Sequence, residues 1–141
     1  METPRTILMV DDDVDLLAAS SAALEAAGYR VVTAEDAESG FTAAASEQPA
    51  LIVLDLMMEE ADSGVRLARR LRREPATQAI PIVILTGVRK ATGFDFQPMT
   101  QDDFAWIAAD AWVEKPIAVR QLVGLVAGLL EAGRSQEGEA R

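Results

Sequence analysis

The chain has no cysteine and no histidine among its 141 residues. The first absence excludes disulfides, thiolate metal sites and thiol nucleophiles. The second excludes an imidazole general base, histidine zinc ligands, Ser-His-Asp catalysis and any phosphohistidine carried by this chain. Aromatic residues make up only 5%, so a core must be built from aliphatic side chains. Positive charge is also scarce: 13 Lys and Arg stand against 23 Asp and Glu, for a net charge of -10. That balance disfavours nucleic acid and anionic membrane surfaces as partners and makes a cation the natural counterpart. No apolar run approaches the roughly 20 residues that cross a bilayer. Residues 1–5 (METPR) lack the apolar stretch of a secretory leader. The expected setting is cytoplasmic and soluble.

What is present is the balance of a packed domain: 50% apolar residues, 26% charged and a mean hydropathy of +0.11. The length suits one core, expected over residues 1–134, with the polar residues 135–141 (SQEGEAR) as a frayed, flexible tail. Short apolar runs at Ile7–Val10, Arg30–Thr33, Leu51–Leu54, Ile80–Leu85 and Ala111–Val113 predict strands, and their unbroken apolar character predicts a sheet covered on both faces. Between them, helical spacing predicts helices at Val14–Ala27, Ala37–Glu47, Gly64–Arg73 and Val119–Ala132. Asp13 and Asp36 stand at N-cap positions and Gly28 follows the first helix. Residues 88–110 show no clear period, which leaves a further helix there open. The alternation of strand and helix implies a parallel α/β sheet with right-handed crossovers.

In such a sheet ligands bind beyond the carboxyl ends of the strands. There the sequence places Asp11-Asp12-Asp13, then Asp55, Thr86 and Lys115-Pro116. Converging carboxylates repel unless a cation neutralises them, and an oxygen-only donor set suits Mg²⁺.

The segments Ile7-Leu8-Met9-Val10-Asp11-Asp12-Asp13, Leu51 to Met58, Ile84-Leu85-Thr86-Gly87 and Glu114-Lys115-Pro116 together resemble the four signatures of response regulator receiver domains. The resemblance covers residues 6–132. It implies a flavodoxin-like, doubly wound, five-stranded parallel sheet of order 2-1-3-4-5 with helices on both faces. It implies that Asp55 accepts a phosphoryl group from a histidine kinase or phosphotransfer protein. By the same resemblance, Asp12 is a direct Mg²⁺ ligand (Mn²⁺ being an alternative occupant), Asp11 a ligand through water, and Asp55 and the Met57 backbone carbonyl complete the protein's share. Lys115 and Thr86 pair with the phosphoryl oxygens, Thr86 and Trp112 form the switch, and the Lys115–Pro116 bond is cis. The chain is then a stand-alone phosphoacceptor, not an enzyme in its own right, that assists its own Mg²⁺-dependent phosphorylation and dephosphorylation and signals to a downstream protein. Two stretches depart from the family pattern: Glu59 to Gly64 lacks the usual proline and is one residue longer, and residues 86–115 are several residues longer than usual.

Simpler readings bear on individual residues. Asp13 serves better as a helix cap than as a ligand. Glu59 and Glu60 read as solvated acids. Arg66, Arg69, Arg70, Arg72 and Arg73 read first as a solvated helix face, and second as a docking patch for an acidic partner. Gly124 and Gly128 read as a close-packing pair in the core. A dinucleotide enzyme or a flavodoxin would need a phosphate-binding loop where the three aspartates stand. A haloacid-dehalogenase-type phosphatase would need Asp where Met57 stands, and an EF-hand would need Gly at Leu16 and Glu at Ala22. The competing class is a receiver-like protein-interaction module that does not use phosphorylation.

Overall fold

Successive strand residues point to opposite faces, so a strand that is apolar at every position needs a cover on each side. The computed structural model describes residues 5–55, 63–86, 110–114 and 118–139, with Ser63, Thr86, Trp112, Glu114 and residues 132–139 described as backbone. It shows β1 (Thr6–Val10), α1 (Val14–Ala26), β2 (Arg30–Ala34), α2 (Ala37–Glu47), β3 (Leu51–Asp55), α3 (Ser63–Arg73), β4 (Ile82–Thr86), β5 (Ala111–Glu114) and α4 (Val119–Glu139). The strands form one five-stranded sheet in the order β2-β1-β3-β4-β5, every neighbouring pair parallel. The predicted order and the covered sheet are both present.

One face carries Leu8, Val10, Ile52, Leu54, Ile82 and Ile84 against Ala44 of α2 and Leu67, Ala68 and Leu71 of α3. The other carries Ile7, Met9, Leu51, Val53, Val83 and Leu85 against Leu17 and Leu24 of α1 and Leu122, Val126 and Leu130 of α4. Each fully buried aliphatic side chain contributes roughly 1.5–3 kcal/mol. The closest approach is at Gly40 in α2, where an added Cβ would lie 3.0 Å from Val10 Cγ1 and 3.1 Å from Leu67 Cδ2. Ala at that position would require Val10, immediately before the acidic residues, and Leu67 to give by a few tenths of an ångström.

The helix starts follow local chemistry. Asp13 Oδ1 accepts a hydrogen bond from the Leu16 N–H at 3.1 Å, the capping role predicted for it. Asp36 Oδ1 accepts from both the backbone N–H and the hydroxyl of Ser39, each at 2.8 Å. Those two donors hold the Asp36 carboxyl below the usual carboxylate range. The cap is therefore at full strength above the carboxyl's unfolded value and is lost as pH falls through the lowered folded value. Asp36→Asn keeps the cap without the titration, so the parent should lose stability relative to this variant on acidification, in matched thermal melts. Gly28, at φ +104°, closes α1 in a conformation that costs any side chain.

Ser20 of α1 is fully buried and its hydroxyl meets no hydrogen-bond partner among the described residues. An unmet buried hydroxyl costs about 1–3 kcal/mol, so Ser20→Ala should raise the unfolding free energy by roughly 1 kcal/mol in urea titration.

Four sequence expectations are corrected. The fourth strand begins at Ile82, not Ile80. Pro81 has no N–H for the ladder, and the Ile80 carbonyl is taken by Arg72 Nη1 at 2.9 Å. Residues 135–139, expected in the frayed tail, continue the α4 backbone to Glu139, Gln136, Glu137 and Glu139 being good helix formers. Gly124 and Gly128 are exposed, with nothing within 4 Å of an added Cβ. They lie two positions from Leu122 and Val126, which turns them away from the buried stripe. Arg72 is not part of the solvated arginine face: its side chain is 15% exposed, and it donates to the Gln78 carbonyl at 2.7 Å as well as to Ile80.

Candidate metal and phosphoacceptor site

Strand pairing places the acidic residues. In the β1–β3 ladder Val10 stands opposite Leu54, so Asp11, the next residue after β1, and Asp55, the last of β3, emerge together at the carboxyl edge. Asp11 is held there by its own N–H, which donates to the Ala34 carbonyl at 3.0 Å, and by its Oδ1, which accepts from the Asp13 N–H at 2.9 Å. Asp12 is thereby turned toward solvent at the mouth of the cluster. One carboxylate oxygen from each of Asp11, Asp12 and Asp55 lies within 4.8 Å of the other two. Asp11 is 1% exposed and Asp55 3% exposed, while Asp12 is exposed.

Three carboxylates at this separation, two of them buried, repel strongly in the reduced dielectric of the site. The donor set is all oxygen and carries up to three negative charges, which fits a hard divalent cation such as Mg²⁺. Asp13, by contrast, is committed to the start of α1, and it is not in the cluster.

The remaining predicted residues enter from the other half of the sheet. Leu85 pairs with Asp55 across β3–β4, and Thr86, the next residue, ends β4 opposite Glu114 of β5. The Thr86 backbone thus stands at the same edge as Asp55. The Trp112 backbone pairs with Ile84, two positions back from that edge. Met57, Lys115 and the Lys115–Pro116 bond lie outside the described residues, as do Glu59, Glu60 and most of residues 86–115.

The sequence reading missed the residue that seats β5. Asp110 Oδ2 accepts from the Ile82 N–H at 3.0 Å and lies 3.8 Å from Arg72 Nη2, and the Asp110 N–H donates to the Ile82 carbonyl at 2.8 Å. Burial lowers the Arg72 pKa from its ordinary value and Asp110 opposes that shift. Arg72 and Asp110 therefore join the end of α3 to the start of β5, the strand that leads to Lys115. Arg72 stands seven residues after Val65, on the inward side of α3, and that spacing was the available signal.

The family model described as the response regulator receiver domain matches residues 7–127. The chain is 33% identical over 140 residues to the phosphate regulon transcriptional regulatory protein PhoB of Pseudomonas aeruginosa, covering 96% of this chain and 56% of that protein. It is 37% identical over 128 residues to the DNA-binding dual master transcriptional regulator RpaA of Synechocystis, covering 88% of this chain and 48% of that protein. The chain spans about half the length of these curated relatives. Among solved structures, a CheY-like response regulator receiver domain protein from Methanospirillum hungatei superposes with a TM-score of 0.78 at 22% identity, covering 95% of this chain and 99% of that one. The chemotaxis response regulator CheY4 of Vibrio cholerae superposes with a TM-score of 0.72 at 22% identity, covering 89% and 98%. These superpositions establish the fold. Sheet order alone would admit other flavodoxin-like proteins, but a family match from residue 7 to residue 127 does not, and the chain belongs to the response regulator receiver domain family.

Proposed function

We propose that this receiver domain accepts a phosphoryl group on Asp55 from the phosphohistidine of a partner histidine kinase or phosphotransfer protein. The observation that carries the reading is the buried pairing of Asp55 with Asp11, with Asp12 at the mouth, all within 4.8 Å. Asp11, Asp12 and Asp55, together with the Met57 carbonyl, would hold Mg²⁺ or Mn²⁺. A divalent ion in that place supplies charge neutralisation for an anionic donor and fixes the orientation of the acceptor.

The chain's own groups do the rest. An Asp55 carboxylate oxygen attacks phosphorus in line with the leaving imidazole nitrogen. The new O–P bond gives an acyl phosphate, and the P–N bond breaks with its electron pair returning to the ring nitrogen, so that the partner's imidazole, carrying its proton on the other ring nitrogen, leaves neutral. Lys115 serves as a compact positive charge for one phosphoryl oxygen, and Thr86 donates its hydroxyl to another. Trp112 follows Thr86 and relays the change toward a downstream protein. The domain acts in the cytoplasm, through protein partners and not through nucleic acid or membrane contacts of its own.

Treatment with acetyl phosphate should add the mass of one phosphoryl group, seen by intact-mass spectrometry, only when Mg²⁺ or Mn²⁺ is present. Absence of labelling at saturating Mg²⁺ would favour the phosphorylation-independent interaction module.

A further inference from the structure

Helix α3 carries five of the chain's 13 basic residues and no acidic residue of its own. Four of them, Arg66, Arg69, Arg70 and Arg73, line one open groove of about 290 Å³ on the side of the helix opposite the buried Leu67, Ala68 and Leu71. Their spacing is i, i+3, i+4 and i+7, a single stripe along two turns, about 10 Å long. Arg66 with Arg70, and Arg69 with Arg73, are like-charge pairs four residues apart, so the stripe concentrates positive charge on one face of the helix. Within the fold, Arg70 reaches Glu38 of α2 at 3.2 Å and stacks over the Phe41 ring at 3.8 Å, which fixes one guanidinium at the groove's edge.

We propose that this stripe is a docking surface for an acidic helix of a partner protein. Guanidinium forks suit carboxylates, and a helix with glutamates at the same i, i+3, i+4 and i+7 spacing presents four of them in register. Outside α3 the chain carries 23 acidic residues against eight basic ones, so charge favours an acidic partner at α3 over the rest of the chain, and repulsion as well as attraction sets its orientation. Size decides among polyanions: a nucleic acid duplex or an anionic bilayer extends well past a stripe about 10 Å long and meets the acidic surroundings, whereas a single helix stays within it.

The probe is an alanine-based helical peptide with glutamates at i, i+3, i+4 and i+7, alongside a permuted peptide of the same composition. Binding is followed by fluorescence anisotropy at low salt and at about 0.15 M salt. The in-register peptide should bind more tightly than the permuted one, weaken with salt, and weaken by about tenfold or more in Arg66→Glu/Arg69→Glu/Arg73→Glu. Unchanged thermal melting of that variant, with unchanged Mg²⁺ binding, shows that its fold is intact, and a triple lysine variant should keep part of the affinity. Equal binding of the two peptides, or equal binding by parent and charge-reversed protein, would overturn the proposal. So would tighter binding of duplex DNA or of vesicles of anionic lipid, or concentration-dependent self-association of the parent that the reversal abolishes, since the occupant would then be a polyphosphate, a membrane or a second copy.

Discussion

Asp55→Asn protein should gain no phosphoryl group from acetyl phosphate under conditions in which the parent is fully labelled. The amide is close in size to the carboxylate but offers no anionic oxygen to attack phosphorus. The substitution should leave the fold intact, because Asp55 is the last residue of β3 and the ladder bonds to β1 and β4 are made by backbone. It should go further in metal-free buffer and raise the melting temperature, since it removes one of three carboxylates packed within 4.8 Å of one another. Mg²⁺ should reverse the ranking: it stabilises whatever native state binds it, by about 2.7 kcal/mol at 100 times its dissociation constant, and the parent binds it with the larger charge. A parent that melts higher than Asp55→Asn without metal would mean that the cluster's repulsion is already compensated within the protein.

The second large effect separates adjacent aspartates. Asp12→Ala should weaken Mg²⁺ binding by roughly tenfold or more, about 1.4 kcal/mol for each factor of ten. Asp13→Ala should leave the affinity nearly unchanged but cost about 1 kcal/mol of fold stability, the usual loss of an N-cap. Geometry dictates the split, because Asp12 contributes an oxygen to the three-carboxylate cluster and Asp13 spends its own on the Leu16 N–H. Calorimetric titration with Mg²⁺ and urea unfolding together read both halves. Equal losses of affinity would mean that the three acids act as a diffuse field.

The strands were legible because a parallel sheet buried on both faces demands apolar residues at every position, and Ile7–Val10 and Leu51–Leu54 have nothing else. Their ends were legible as well, since each run stops at a carboxylate. Ile80 misled because an apolar residue before a proline looks like strand, while its carbonyl is claimed by Arg72 from another element. No local pattern announces such a bond. Spacing from Val65 turns Arg72 inward, but Arg72 and Asp110 are far apart in sequence, and only the fold brings them to 3.8 Å. The four-residue spacing of Gly124 and Gly128 suggested a close-packing pair, and their phase relative to Leu122 and Val126 was the better guide. At the site, the union of Asp11, Asp12 and Asp55 followed from strand order, which the resemblance implied and composition could not. The roles of Lys115, Met57 and Trp112 rest on that resemblance.

The central claim, that Asp55 is the acceptor, is tested most directly by trapping the acyl phosphate where it forms. Borohydride reduces an aspartyl phosphate to homoserine, so reduction of the Mg²⁺-treated, acetyl phosphate-labelled protein followed by peptide mass mapping names the modified residue. The account predicts homoserine at position 55 and unmodified aspartate at positions 11, 12 and 13. Homoserine at any of those three, or none at position 55 in protein whose intact mass shows a phosphoryl group, would contradict it.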